Sequence, residues 1–330
     1  MSSSPISLSR SAHSEWAGWL KLVQLLASSE KCQRLSKQNL LSAAVVVCAG
    51  GLIALGVSRR RRARQKETSE TVVDDRPTLA LAGSGLRMGY MLGSVAALRD
   101  YVDISTLRVT AISGSAIGAL LLCSPELDVV AVSLARKNCY MMDVSWFARM
   151  LVDELKACAG LTEETLHQRC HSQQLFFGIT SFRPWPTPVC LKCPATFEEF
   201  RRVISAVICI PPFFTQMVAL DNYPSADGFF SHLFAVPDDH DPTKVVRYCP
   251  FPAAWLDFRP PLRDLLSSLA ECLYPFAPAR QIASFKEGYL LTVRFLKSGC
   301  QESSLLKLKE NPVNNLSEYV EGLLSLQSTV

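Results

Sequence analysis

The sequence has no marked excess of charge of either sign and few cysteines for its length. Over 330 residues the formal net charge is only +4, and the basic surplus is concentrated at residues 59–66, which disfavours nucleic acid as a partner. Twelve cysteines are too sparse for a disulfide scaffold, so a reducing compartment is expected. A hydrophobic content of 48% excludes disorder throughout, because a chain of this length and composition can bury a large core.

The N-terminal part of the chain contains one long uncharged run. Residues 40–57 carry no charge and approach the roughly 20 residues that cross a bilayer. More basic residues follow this run than precede it, which predicts a single-pass membrane anchor with the C-terminal bulk in the cytosol. A buried core helix is the alternative. The preceding segment, 1–39, contains tryptophans and leucines at helical spacing, as in an amphipathic helix on a membrane surface or on the protein's own core.

The remaining chain is divided by composition. Residues 58–76 are basic and then polar, which is typical of a linker. A globular domain is expected at residues 77–300, and residues 301–330 form a C-terminal tail that includes a short amphipathic helix.

A glycine loop follows the first predicted strand of this domain. Residues 78–82 predict a short apolar strand, Gly83, Ser84 and Gly85 come next, and a helical pattern then runs to residue 101. Backbone N–H groups at such a helix start suit either a dinucleotide pyrophosphate or the oxyanion of an acyl-transfer intermediate. A dinucleotide fold needs an acidic residue at the end of the second strand, where this chain has Ile112 and Ser113. The loop therefore favours an oxyanion.

Residues 109–120 predict a strand that turns sharply into a helix, as in the nucleophile elbow of serine hydrolases. Small residues flank the centre of such a turn, and here Gly114 and Gly118 bracket Ala116. Alanine offers no nucleophile, so the elbow is expected to be degenerate. The nearest hydroxyl, Ser115, is the alternative nucleophile.

Asp227-Gly228 follows a further predicted strand and predicts a turn. In a Ser-Asp dyad the aspartate lies on such a turn and takes the proton of the serine hydroxyl. Asp227 is therefore the candidate general base, provided that it lies within hydrogen-bond reach of a serine.

The glycine loop, the elbow and the Asp-Gly turn occur in the order and rough spacing of the patatin-like phospholipase family, and the adiponutrin branch is the most similar. Residues 83–88, which include Arg87, resemble the family's Gly-Gly-Gly-x-Arg-Gly oxyanion loop. Residues 114–120 resemble its Gly-x-Ser-x-Gly-Ala-Leu elbow, and Asp227-Gly228 resembles its Asp-Gly-Gly/Ala turn.

The resemblance covers about residues 77–298 and implies a three-layer α/β fold with a largely parallel central sheet. It also implies acyl-ester lipids in the pocket, membrane lipids as partners and no cofactor. The chain departs from the family pattern at four positions, which are Ser84, Met88, Ala116 and Phe229. We therefore expect a membrane-anchored protein of lipid metabolism that binds lipid or regulates without hydrolysing it, a pseudoenzyme.

Two alternatives stay open at this stage. The first is an active lipid acyl hydrolase in which Ser115 is the nucleophile, Asp227 the base and residues 83–85 the oxyanion donors. The second is a zinc-stapled interaction domain, because the spacing of His167, Cys170, Cys190 and Cys193 is compatible with a four-ligand zinc ribbon. The simpler interpretation of the last two cysteines is that they lie in a strand, and no metal is expected.

Overall fold

The computed structural model describes residues 74–85, 87–124, 127, 144–172, 174–183, 185–210, 217–251, 256, 258–260 and 278–327. The predicted surface helix in 1–39, the predicted span at 40–57 and nearly all of the predicted linker lie outside these residues. None of the helices in the described part of the chain is long and apolar enough to span a membrane.

Seven described strands form one mixed sheet. They are β1 (Thr78–Leu81), β2 (Arg108–Ile112), β3 (Leu175–Arg183), β4 (Trp185–Lys192), β5 (Val218–Leu220), β6 (Tyr223–Asp227) and β7 (Val245–Tyr248). The order is β5-β6-β3-β2-β1-β7, and β4 also pairs with β3. The central strands β7, β1, β2 and β3 are parallel, whereas β4 and β6 run antiparallel to β3. The chain is thus an α/β protein with a mostly parallel central sheet, as the sequence predicted at that level.

The described helices connect and cover this sheet. They are α1 (Met88–Tyr101), α2 (Ser115–Cys123), α3 (Val144–Ala159), α4 (Glu163–His171), α5 (Phe197–Val207), α6 (Pro278–Leu296), α7 (Gln301–Ser304) and α8 (Leu316–Gln327). Parallel neighbours need a crossover connection, and α1 supplies it between β1 and β2. Every residue of β1 and β2 is buried, which is typical of parallel strands covered on both faces.

Helices α1 and α6 pack closely because each has a glycine that lies against the backbone of the other helix. A Cβ on Gly93 would overlap the carbonyl oxygen of Phe285, and a Cβ on Gly288 would overlap that of Tyr90. The hydroxyl of Ser94 also donates to the Gly288 carbonyl oxygen at 3.2 Å. This contact fixes the helix that follows the glycine loop.

The C-terminal residues pack on the domain through Asp100, at the end of α1. Its carboxylate accepts from the Tyr289 hydroxyl at 2.5 Å, the Tyr319 hydroxyl at 3.1 Å and the Asn315 side-chain amide at 3.0 Å. The Asn315 backbone N–H is a fourth donor, at 3.2 Å, and together these donors compensate for the lost hydration of the buried carboxylate. Helix α8 is thereby held at the end of α1 that is farther from the glycine loop.

Candidate active site

The turn between β2 and α2 contains a strained serine. Strand β2 ends at Ile112 and α2 begins at Ser115, so only Ser113 and Gly114 lie between them. Ser113 has a φ of 54°, a conformation that costs a non-glycine residue free energy. A serine in this conformation, at a strand-to-helix turn, is the geometry of a nucleophile elbow.

The structure corrects the predicted centre of this elbow. Ala116 is the second residue of α2, is fully buried, and donates its backbone N–H to the Ser113 carbonyl oxygen at 3.1 Å. The alternative nucleophile, Ser115, is also fully buried, and its hydroxyl donates to the Ala82 carbonyl oxygen at 2.6 Å. Neither residue occupies the turn, which is centred on Ser113.

Gly114 and Gly118, which the sequence placed on either side of the elbow centre, each allow a close contact with another element. A Cβ on Gly114 would lie 2.6 Å from the Gly85 carbonyl oxygen, so this glycine lets the glycine loop approach the elbow. A Cβ on Gly118 would overlap the Met91 sulfur, so that glycine lets α2 pack on α1. The overlooked signal was a pair of small residues, Ala111 and Ser115, two positions before and two after Ser113.

Strand β3 brings Asp227 to this turn. Ile112 pairs with Gly178 in the parallel β2–β3 ladder, and Asp227 pairs with the next residue, Ile179, in the antiparallel β3–β6 ladder. Strands β2 and β6 therefore end at the same level of the sheet. The predicted turn is confirmed, since a 3₁₀ turn at Gly228–Phe230 follows β6 directly.

The carboxyl group of Asp227 is fully buried beside Ser113. Burial raises its pKa from 3.8 to about 7, while hydrogen bonding from the Phe229 backbone and the Ser113 side chain opposes this rise. Oδ1 accepts the Phe229 N–H at 2.9 Å, and Oδ2 has no close hydrogen-bond partner among the described residues. The Ser113–Asp227 contact is therefore a loose one, as is common before substrate binds.

The glycine loop lies against the serine. A Cβ on Gly83 would lie 2.9 Å from Cβ of Ser113, so only glycine fits this close to the turn. Within the described part of the chain, the amides of Gly83, Ser84 and Gly85 donate no hydrogen bond to the protein. Gly85 has a φ of 51°, which turns the chain sharply before α1. These amides and that of Gly114 are suited to hold an oxyanion.

Arg87 anchors the loop. Its guanidinium is buried, donates to the Pro250 carbonyl oxygen, stacks 4.0 Å from the Tyr90 ring centre and lies 3.7 Å from Glu287. Met88 is also buried, and its sulfur accepts the Ser84 hydroxyl at 3.3 Å. Both side chains are engaged by the protein, which leaves the backbone amides as the loop's donors.

A chain of hydrogen bonds ends at the backbone carbonyl oxygen of Asp227. The Thr180 hydroxyl donates to the Asp227 carbonyl oxygen at 2.8 Å and lies 2.8 Å from the Ser231 hydroxyl, which lies 2.9 Å from Nδ1 of His232. Because Thr180 has one proton to donate, the network assigns Ser231 as the donor to Thr180 and the Nδ1–H of His232 as the donor to Ser231. No pattern in the sequence predicts this network.

Thr180→Val should destabilise the protein without adding any steric conflict. It leaves the Asp227 carbonyl oxygen without this donor and the buried Ser231 hydroxyl without an acceptor for its proton, which we expect to lower the unfolding free energy by about 1–3 kcal/mol. Thr187→Val is the matched control, since Thr187 is exposed on β4 and should lose at most about 0.5 kcal/mol. Urea denaturation of both variants measures the difference. Equal losses would show that the Thr180 network contributes no stability.

A cavity of about 430 Å³ lies away from this site. Its lining includes Asp100, Asp103, Gln174 and Tyr319, near the end of α1 that is farther from the glycine loop. None of the elbow, loop or Asp227 residues lines it. This cavity is therefore separate from the candidate active site around Ser113.

The residues of the zinc alternative lie on or beside two different elements. His167 and Cys170 belong to α4, Cys190 belongs to β4, and Cys193 follows it. Among the described residues, no three His, Cys, Asp or Glu side chains are grouped so that they could hold a metal ion.

Comparisons with known proteins indicate neither a family nor a function for this chain. No family model matches it, and no curated protein matches it.

Proposed function

We propose that this protein is a serine acyl-ester hydrolase with a Ser113–Asp227 dyad. The observation that carries the proposal is the strained Ser113, which lies beside the buried carboxyl group of Asp227 and against a loop whose amides donate no hydrogen bond within the described part of the chain. The argument for a pseudoenzyme depended on Ala116 as the centre of the elbow. In the structure Ala116 is the second residue of α2, and the strained residue of the turn is Ser113, which favours Ser113 as the nucleophile.

The proposed reaction begins with attack on an ester carbonyl. Ser113 Oγ forms a bond to the carbonyl carbon while its proton passes to the Asp227 carboxylate. The amides of the glycine loop and of Gly114 hold the developing oxyanion. As the tetrahedral intermediate collapses, the ester C–O bond breaks and Asp227 returns the proton to the leaving alcohol. Water then attacks the acyl-serine in the same way, giving the free acid and Ser113.

The pKa of Asp227 suits this role. A general base is most effective when its pKa lies near the working pH, and burial raises this one to about 7. An aspartate of ordinary pKa would be ionised but a poorer acceptor for a hydroxyl proton.

Lipid esters are the substrate class that we propose. The support is the resemblance of the glycine loop and the Asp-Gly turn to the patatin-like phospholipases, together with the sequence of the predicted anchor at 40–57. On this proposal the domain is a three-layer patatin-like fold, tethered to a membrane on its cytosolic side. On this proposal the elbow departs from the family pattern, since Ala111 and Ser115 flank Ser113 where the family has two glycines.

Labelling with a fluorophosphonate tests the proposed nucleophile. The reagent should modify the folded, full-length protein, and peptide mass spectrometry should locate the adduct on Ser113, since only an activated serine reacts quickly. Heat-unfolded protein is the control and should remain unlabelled. An adduct on Ser115, or equal labelling of folded and unfolded protein, would contradict the proposal.

A further inference from the structure

Strand β3 extends beyond the level of the candidate site. Gly178 pairs with Ile112 beside the elbow, and β3 continues to Arg183, five residues farther. At about 3.3 Å per residue this places Arg183 roughly 16 Å beyond the end of β2. Strand β4 begins at Trp185, which pairs with Arg183 across the turn. The β3–β4 hairpin therefore projects from the end of the sheet that carries Ser113.

A second hairpin lies beside the first. Ser181 pairs with Ser225, so the β5–β6 turn at Asp221 and Asn222 comes close to the tip of β3. The Arg183 guanidinium lies 4.7 Å from the centre of the Tyr223 ring and 3.6 Å from the Asp221 carboxylate. We call Arg183, Trp185, Asp221, Asn222 and Tyr223 the flap.

The flap exposes two aromatic side chains, whose exposure to water costs free energy. Trp185 is 78% exposed and Tyr223 is 42% exposed, and the side chain of Arg183 is 40% exposed. One exposed apolar residue needs no explanation, but here a tryptophan and a tyrosine share one tip with an arginine. Tryptophan and tyrosine are the residues enriched where proteins meet the headgroup layer of a membrane.

The outer edge of β4 argues against a protein strand as the partner. Pro186 and Pro188 pair with Phe182 and Thr180 of β3, and proline has no N–H to donate. Prolines at two alternate positions remove the donors that an added strand would need on this edge. A planar bilayer surface requires no such donors.

We propose that the flap docks in the headgroup layer of a phospholipid bilayer and turns the Ser113 end of the sheet towards the membrane. Trp185 and Tyr223 enter the interface, and Arg183 binds a lipid phosphate. This inference rests on the proposed function, because it assigns the ester of a membrane lipid as the substrate. The flap is a positioning surface and contains no catalytic residue.

Quenching of tryptophan fluorescence tests the docking directly. The full-length protein is reconstituted into nanodiscs of phosphatidylcholine and phosphatidylserine, with and without brominated acyl chains. The chain has five tryptophans, so the signal of Trp185 is the difference between the wild type and Trp185→Phe. We expect this difference signal to be quenched by bromine. A Trp185 signal that brominated lipid leaves unchanged overturns the proposal.

Activity separates the docking from the chemistry. Trp185→Ala should hydrolyse a water-soluble short-chain ester as fast as the wild type, but a bilayer phospholipid at least roughly tenfold more slowly, a loss typical of one buried aromatic anchor. Leu324→Ala, at an exposed leucine on α8, is the matched control and should match the wild type on both substrates. An equal rate of Trp185→Ala and wild type on the bilayer overturns the docking. If the wild type fails on the soluble ester, the proposed function fails, and the quenching experiment still decides the docking.

Discussion

Ser113→Ala should abolish ester hydrolysis while leaving the protein folded. Removal of the nucleophile from a serine hydrolase costs roughly 10⁴-fold or more in kcat, and only oxyanion binding then remains. The substitution removes only the hydroxyl oxygen, whose hydrogen bond to Asp227 is loose, so the melting temperature should change little. Initial rates on a short-chain ester, with circular dichroism of the same samples, measure both effects.

Two neighbouring variants serve as controls for Ser113→Ala. Ser115→Ala removes the hydrogen bond to the Ala82 carbonyl oxygen and should cost about 1 kcal/mol of stability with little change in kcat. Ala116→Ser places a hydroxyl in the core and should not raise the rate. If activity survives in Ser113→Ala and disappears in Ser115→Ala, the nucleophile is Ser115 and the assignment of Ser113 is wrong.

Asp227→Asn should lose hydrolysis and gain stability at alkaline pH. The amide cannot accept the proton of Ser113, so we expect a fall in kcat of about 10⁴-fold. In the wild type the same requirement makes the rate rise with pH, with an apparent pKa of about 7, because only the carboxylate is a base.

The contribution of Asp227 to the unfolding free energy falls as the pH rises, whereas that of a surface carboxylate paired with a cation grows with pH. The pKa of Asp227 is raised in the folded protein from 3.8 to about 7, so its favourable contribution to stability is complete below pH 3.8 and is lost as the pH rises through 7. Above pH 7 the buried charge costs roughly 4 kcal/mol, the free-energy equivalent of that pKa difference. Asparagine carries no charge and avoids this cost.

Denaturation at several pH values measures this effect. The unfolding free energy of Asp227→Asn should exceed that of the wild type at pH 9, and the gap should narrow as the pH falls below 7 and close only near pH 3.8. Asp241→Asn is a suitable control, because the Asp241 carboxylate is exposed and binds only Thr243 beside it. A gap that stays constant with pH would mean that the pKa of Asp227 is the same in the folded and the unfolded protein, so that burial does not raise it.

Local patterns in the sequence determined the elements around the site. The apolar runs at 78–82 and 109–112 predicted β1 and β2, because strands that are buried on both faces are continuously apolar. The helical spacing after the glycine loop predicted α1. The glycine loop and the Asp-Gly turn were also found from sequence. Both depend on backbone conformations that glycine or aspartate favours over a few residues.

Tertiary structure alone decided which serine occupies the elbow. Gly114 and Gly118 have the spacing of an elbow, but one is needed for contact with the glycine loop and the other for contact with Met91. Spacing does not distinguish these causes, since both require the absence of a side chain. The φ of 54° at Ser113 is imposed by β2, α2 and the glycine loop together, and no local preference of serine predicts it.

The pairing of Ser113 with Asp227 was likewise decided by tertiary structure. The two residues are distant in sequence and meet because β2 and β6 occupy consecutive positions along one edge of β3. The pKa of Asp227 follows from that placement, since burial is its largest cause and burial depends on the whole packed domain. The sequence by itself determined the chemical groups, and the fold determined which of them face each other.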